Sequence, residues 1–136
     1  MNRVLVTGGT GFIGRWLIRE LLANQVQVTA ISRSKDRFSP ELLNQALFSC
    51  VEGDLNTLTA NDFPDRDYDC FYHLAWAGVA SQDKNNLEVQ LNNIEMSVRA
   101  MELCHRLHCD RYISAGTVAE YVFSKNVMDL EEKQLF

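Results

Sequence analysis

The sequence predicts an α/β fold, in which a doubly wound parallel sheet of about five strands carries helices on both faces. Two observations support this. Short apolar segments alternate with amphipathic helical segments along the chain, and strands that alternate with helices form parallel sheets. In addition, a glycine-rich turn stands directly between the first apolar segment and the first helical one.

The first strand is predicted at Arg3 to Thr7 and the first helix at about Phe12 to Ala23. The later elements, in chain order, are predicted as strand Val26 to Ser32, a short helix near Pro40 to Ala46, strand Phe48 to Glu52, strand Cys70 to Ala75, a long helix from about Asn85 to Leu107, and strand Arg111 to Ala115. The long helix has apolar residues at spacings of four and three, which is a helical period: Leu87, Leu91, Ile94, Val98 and Met101.

Beyond Gly116 the alternation stops, and the segment from Gly116 to Phe136 carries no clear βα unit. A doubly wound sheet of this kind usually continues with a further strand and helix. We therefore expect residues 1–136 to form one incomplete, truncated domain. Apolar surface left exposed on the side of the missing strand would favour a homo-dimer.

Composition excludes several classes of partner. The 136 residues are 46% hydrophobic and 23% charged, with a net charge of −5, so neither a nucleic acid nor an anionic membrane surface is an expected partner. No apolar run approaches the roughly 18 residues of a membrane span. Because the chain opens on a strand and a glycine turn instead of a signal peptide, we expect a cytoplasmic protein.

Cysteine and histidine spacing predicts no metal site. The four cysteines show no C-x-x-C pair, and we expect Cys50, Cys70 and Cys104 to be reduced core residues. The three histidines, His73, His105 and His108, also lack the spacing of metal ligands.

The glycine turn predicts a dinucleotide site. Gly8 or Gly9 allows a sharp turn, Gly11 lets the backbone approach a pyrophosphate, and Gly14 lets the helix pack close to the strand. The helix N-terminus then offers free N–H groups to the phosphates. These are the spacings of a Rossmann-like domain, and the residues expected to contact the pyrophosphate are Gly8, Thr10, Gly11, Phe12, Ile13 and Gly14.

The end of the second strand favours NADP over NAD. An NAD site normally has an acidic residue there to hold the ribose 2′-hydroxyl, whereas this chain has Ser32 followed by Arg33. A guanidinium pairs with the 2′-phosphate of NADP. The alternative is that Arg33 is only a solvated loop charge.

Three further strand ends supply candidate contacts. After the third strand, Asp54 would accept a hydrogen bond from the adenine amino group while Leu55 packs on the ring, unless Gly53-Asp54 is only a turn. After the fourth strand, Leu74, Ala75 and Trp76 would lie beside the ribose and nicotinamide, unless Trp76 covers the core. After the fifth strand, Thr117 would lie near the nicotinamide, unless it is only a turn cap.

Together these segments resemble the extended short-chain dehydrogenase/reductase family, the nucleotide-sugar epimerases and dehydratases. The resemblance spans the whole chain but only the N-terminal half of such an enzyme. The matching segments are Thr7–Gly14 with T-G-G-x-G-F-I-G, Gly53–Leu55 with G-D-hydrophobic, His73–Ala75 with H-hydrophobic-A, Asn92–Ile94 with N-N-hydrophobic, and Thr117–Tyr121 with S/T-x-x-x-Y.

The resemblance implies a hydride-transfer enzyme that uses NAD(P) and acts on a nucleotide sugar. It makes Thr117 the catalytic Ser/Thr, and it implies that Asn93, counted with the cofactor site, holds the central strands together by side-chain bonds to backbone. The family's catalytic Tyr-x-x-x-Lys falls well beyond its Ser/Thr. Tyr121 and Lys125 share that spacing but stand too close to Thr117, so we interpret them as a coincidental match.

This departure leaves two hypotheses. In the first, the chain is the dinucleotide-binding part of an epimerase, dehydratase or reductase, and is inactive alone because the catalytic tyrosine and the sugar-binding half are missing. In the second, the chain is a complete, non-catalytic NADP-binding module that senses the cofactor or regulates a partner.

Overall fold

A computed structural model describes residues 1–79 and 83–116. Five strands pair in parallel in the order β3-β2-β1-β4-β5. The elements are β1 Arg3–Thr7, α1 Phe12–Ala23, β2 Gln27–Ser32, α2 Pro40–Leu43, β3 Phe48–Glu52, β4 Cys70–His73, α3 Leu87–Arg106 and β5 Tyr112–Ser114, with 3₁₀ turns at Lys35–Arg37 and Ala60–Asp62.

Side chains of the central strand alternate between two cores, which shows that the sheet is covered on both faces. Val4 and Val6 pack with Ile18 of α1 in one buried cluster. Leu5, between them, packs with Leu103 of α3 in the other. Because successive residues of a strand point to opposite faces, this alternation confirms the predicted doubly wound fold.

Two strand ends differ from the prediction for identifiable reasons. Val26 was expected to open β2, but its N–H donates to the Leu21 carbonyl at 2.9 Å and belongs to the turn that closes α1. The fourth strand was expected to reach Ala75 but ends at His73, whose register partner Thr7 is the last residue of β1. The remaining ends lie within a few residues of those expected.

The apolar stripe of α3 faces away from the sheet. Leu87, Leu91, Ile94, Val98 and Met101 are each between 45% and 72% exposed. The face toward the sheet is instead built from residues that include Asn93, Ala100, Leu103 and Cys104. Small side chains there let the helix lie close to the strands, so the periodicity located the helix correctly but did not identify its buried face.

No helix in the described ranges is both long and apolar enough to cross a membrane. The four cysteines, all within those ranges, are free thiols.

Helix α3 offers a matched test of this orientation. Leu103 is 3% exposed and Ile94 is 57% exposed. Leu103→Ala should lower the free energy of unfolding by roughly 2–5 kcal/mol, because it removes buried methyl groups and leaves a cavity. Ile94→Ala should change it by less than about 0.5 kcal/mol. Urea denaturation measures both, and a larger loss in Ile94→Ala would mean that the stripe faces the core.

Candidate functional site

The candidate site lies where the carboxyl ends of β1 and β4 meet. Helix α1 follows β1 and covers one face of the sheet, while α3 follows β4 and covers the other. The chain therefore leaves these two neighbouring strands toward opposite faces of the sheet, an arrangement that in doubly wound folds opens a crevice between the two connections. Ligands of doubly wound folds bind at such a switch point.

The turn after β1 is closed by backbone in close contact. Gly8 has a φ of +70° and accepts the N–H of Gly11 at 2.9 Å. A Cβ on Gly8 would lie 2.6 Å from the Leu74 carbonyl oxygen, and a Cβ on Gly14 would overlap the carbonyl oxygen of Gly8. Glycine is needed at both positions because three stretches of backbone converge there.

Gly11 lacks a side chain for a different reason. A Cβ at this position would meet Gly8 O at 3.1 Å, with no second described atom within 4 Å. The space beyond it is open, which fits a ligand that approaches the backbone. Gly11 thus faces open space, whereas Gly14 faces the backbone of the turn.

The N-terminus of α1 points free N–H groups into this space. Gly11 is its N-cap, no side chain of the described residues caps it, and its first turn contains no acidic residue. Phe12 and Ile13 are exposed, and Thr10 is half-buried beside them. Uncapped N–H groups at the positive end of a helix dipole bind anions. The glycine turn and the N-terminus of α1 together therefore fit a pyrophosphate.

Ser32 and Arg33 follow β2 at the same edge of the sheet. Arg33 is exposed and forms no ion pair with a residue in the described ranges. The Ser32 hydroxyl donates to the Ser34 carbonyl at 2.9 Å, so it would have to rotate before donating to a phosphate. The guanidinium of Arg33 is the group at this strand end that is free to meet an anion.

Asp54 and Leu55 have different environments. One Asp54 carboxylate oxygen, Oδ1, accepts the Asn56 N–H at 2.9 Å, which makes the turn expected as the alternative. The second oxygen has no hydrogen bond to a described residue and leaves Asp54 able to accept from a ligand. Leu55 is buried in the same core cluster as Leu103 of α3. Its side chain therefore packs inside the protein beneath the turn that Asp54 forms.

Hydrogen bonds from the backbone of the loop after β4 to the side chain of Thr7 hold this loop in place. Leu74 and Ala75 are half-buried and donate their N–H groups to Thr7 Oγ1 at 3.2 and 3.3 Å. Trp76 is 49% exposed and does not cover the core. Its indole ring is therefore accessible beside this loop.

Asn93 shapes this loop and is not exposed to a ligand. It is fully buried on α3, and its side-chain amide both accepts from Ala77 N and donates to Ala77 O, each at 2.9 Å. The bonds to backbone implied by the family resemblance are present. They hold the loop after β4 instead of joining the central strands, so Asn93 acts on the crevice indirectly.

Two polar residues at this edge begin segments that match the family but were not among the predicted site residues. Thr7 and His73 end neighbouring strands in register, and Thr7 Oγ1 lies 2.9 Å from His73 Nδ1. Burial lowers the pKa of His73. A polar residue at the end of each of two apolar strands was the available signal, but it reveals a contact only once the strands are known to be adjacent.

Thr117, Tyr121 and Lys125 lie outside the described residues. The described chain reaches Gly116 just after β5, where Ala115 N donates to His73 O at 3.3 Å. Within residues 1–79 and 83–116, no group of three potential metal-ligating side chains is assembled.

Residues 4–134 match the model of the NAD dependent epimerase/dehydratase family. The chain belongs to this family. The expected family resemblance and fold are confirmed, because the matched region contains the glycine turn and, apart from Arg3, every strand described above.

Individual relatives agree with this assignment. The chain is 33% identical over 128 residues to D-erythronate dehydrogenase of Cupriavidus necator, covering 87% of this chain and 39% of the relative. A structure of MoeE5 in complex with UDP-glucose and NAD is 27% identical, with a TM-score of 0.70 over 86% of this chain and 37% of MoeE5. A UDP-Glc/GlcNAc 4-epimerase of Campylobacter jejuni shares the fold, with a TM-score of 0.74 at 23% identity over 89% of this chain and 39% of the epimerase.

Proposed function

We propose that this chain is the NAD(P)-binding part of a nucleotide-sugar epimerase, dehydratase or reductase that works by hydride transfer. The single observation that supports this best is the open, uncapped N-terminus of α1 above Gly11, at the switch point between β1 and β4. The chain spans 39% and 40% of the length of two curated relatives that it matches. We accordingly propose that it forms an incomplete domain of a longer enzyme.

The nucleotide-sugar substrate is supported by similarity. The structure of MoeE5, which is 27% identical to this chain, was solved in complex with UDP-glucose and NAD. The curated relatives include a dTDP-4-dehydro-6-deoxyglucose reductase of Escherichia coli. A nicotinamide cofactor such as the NAD in the MoeE5 structure would supply the hydride chemistry when bound.

The chain's own residues would bind and orient the dinucleotide. The first turn of α1, with Gly8, Thr10 and Gly14 shaping it, would hold the pyrophosphate. Asp54 would accept from the adenine, and Leu74, Ala75 and Trp76 would border the nicotinamide side. Thr117, which follows β5 in sequence, would position the reacting oxygen of the substrate.

The same substitution at two glycines tests this function. Gly11→Val should raise the dissociation constant for the dinucleotide by about 100-fold or more, since its side chain would fill the pyrophosphate space. The variant should still fold, with a modestly lower melting temperature, because its Cβ would meet Gly8 O at 3.1 Å and no second described atom within 4 Å. Gly14→Val is the control and should prevent folding, because its Cβ would overlap Gly8. Calorimetry with NAD and NADP measures the affinity; wild-type affinity in folded Gly11→Val would refute the proposed site.

We propose NADP as the preferred cofactor because Arg33 stands where a carboxylate would select NAD. Solved structures with this fold include complexes with NAD and a complex with NADP, so the fold itself does not choose between them. The choice depends on the residues after β2, where Arg33 is free of ion pairs with described residues.

Arg33→Ala should weaken NADP binding about tenfold or more and leave NAD binding nearly unchanged, because a charge-assisted contact contributes roughly 1.5–3 kcal/mol. Arg37→Ala removes an exposed arginine from the neighbouring 3₁₀ turn and serves as the matched control. Calorimetric titrations with both cofactors decide the matter. Equal affinities in the wild type, or tighter binding of NAD, would overturn the preference for NADP.

We also propose that the protein forms a homo-dimer. The supporting surface is the exposed stripe of α3, whose 4-3 spacing is that of a helix–helix seam. Identical stripes can pair about a two-fold axis. Ile113 of the edge strand β5 is exposed as well, as expected for apolar surface on the side of the missing strand.

We propose a cytoplasmic location, with which the free cysteines are compatible.

Ile94→Glu should convert the dimer to a monomer, because it places a charge at the centre of the stripe. Trp16→Glu makes the same change at an exposed apolar residue of α1, on the other face of the sheet, and should leave the dimer intact. Sedimentation equilibrium measures the molecular mass. A monomeric wild-type protein would be the contrary result.

A further inference from the structure

A buried imidazole links the helix α3 to the loop that borders the proposed dinucleotide site. His73 is 3% exposed. Its Nδ1 lies 2.9 Å from Thr7 Oγ1 and its Nε2 lies 3.3 Å from Ser97 Oγ. Both ring nitrogens therefore have a hydroxyl partner, and the direction of each hydrogen bond can be worked out from the groups beyond those hydroxyls.

The Ser97 side fixes the proton on Nε2. Ser97 Oγ lies 2.9 Å from the Asn93 carbonyl oxygen, and a carbonyl can only accept. The single hydroxyl proton of Ser97 is thus donated to Asn93, so the hydroxyl must accept from His73. Nε2 carries the hydrogen.

The Thr7 side independently fixes the lone pair on Nδ1. Thr7 Oγ1 accepts the N–H groups of Leu74 at 3.2 Å and Ala75 at 3.3 Å, and the Leu74 N–H is shared with Thr7 O at 3.3 Å. Both lone pairs of the hydroxyl are then engaged, and its proton points to Nδ1. One neutral tautomer of His73 satisfies every partner.

We propose that His73 is a positioning residue for the dinucleotide site, holding Thr7 in the orientation that anchors the backbone of Leu74 and Ala75 against Gly8. The inference rests on the proposed function, because the loop it anchors is the one that would border the nicotinamide. Gly8 and this loop touch so closely that a Cβ on Gly8 would lie 2.7 Å from Ala75 N. Any movement of the loop would therefore move the glycine turn.

A second proton on His73 would break this arrangement. It would face the Thr7 hydroxyl proton, and Thr7 would have to rotate away from Leu74 and Ala75. Burial lowers the pKa of His73, which keeps the ring neutral. Phe71 and Tyr112 also face the ring, Tyr112 stacked at a centroid distance of 6.1 Å. Burial raises the pKa of Tyr112 to about 12, so its phenol adds no charge.

Two substitutions separate positioning from packing. In His73→Asn the amide oxygen can take the place of Nδ1 and accept from Thr7, although the side chain is smaller. In His73→Phe the ring shape is kept but the acceptor is lost. If His73 acts by positioning, His73→Phe should raise the dissociation constant for the dinucleotide about tenfold, and His73→Asn should recover most of the wild-type affinity.

The reverse order, with His73→Phe binding like the wild type and His73→Asn binding weakly, would show that His73 acts only by filling space and would overturn the inference. A wild-type protein that binds neither NAD nor NADP would instead overturn the proposed function and the positioning role with it. Circular dichroism melts show whether each variant is folded.

Nitrogen NMR of the wild-type protein tests the arrangement without a substitution. The ring of His73 should show a protonated Nε2 and an unprotonated Nδ1, and should stay so as the pH falls through the range in which a free imidazole becomes protonated. A protonated Nδ1 in neutral solution, or a His73 ring that gains its second proton where a free imidazole does, would overturn the inference whether or not a dinucleotide binds.

Discussion

Three stretches of backbone meet at Gly8, and the carboxyl edge of the sheet depends on that contact. The turn after β1 lies against the first turn of α1 on one side and against the loop after β4 on the other. No side-chain carbon fits at Gly8 or Gly14, which is how the first helix can begin directly above the central strand. Its free N–H groups consequently open into the crevice between β1 and β4. The proposed pyrophosphate site is a consequence of this close packing.

Buried polar groups hold the same edge from behind. Thr7, His73, Ser97 and Asn93 connect the ends of two strands to α3, and their hydrogen bonds end on the backbone of the loop after β4. A buried polar group that lacks a partner costs considerable free energy. In this network every hydrogen bond has one possible donor and one possible acceptor, so the network favours one arrangement of the loop. Rigidity at this loop is what a site for an extended, flexible dinucleotide requires.

The two faces of helix α3 have different roles. Its inner face combines small residues and the buried amide of Asn93, which allow close approach to the strands and anchor the loop. Its outer face carries five exposed apolar side chains. The helix thus joins the proposed cofactor site to a surface suited to a second copy of the chain.

Local sequence determined the order of strands and helices, the glycine turn and the residues at each strand end, because these depend on periodicity and on the conformational freedom of glycine. The bounds of β1, α1 and β3 follow directly from it. Tertiary structure alone decided which face of α3 is buried, since apolar residues at helical spacing identify a stripe but not its neighbour. It also decided that Asn93 is buried behind the loop and that Thr7 meets His73. Those contacts join residues distant in sequence, and they exist only because β1 and β4 pair in register.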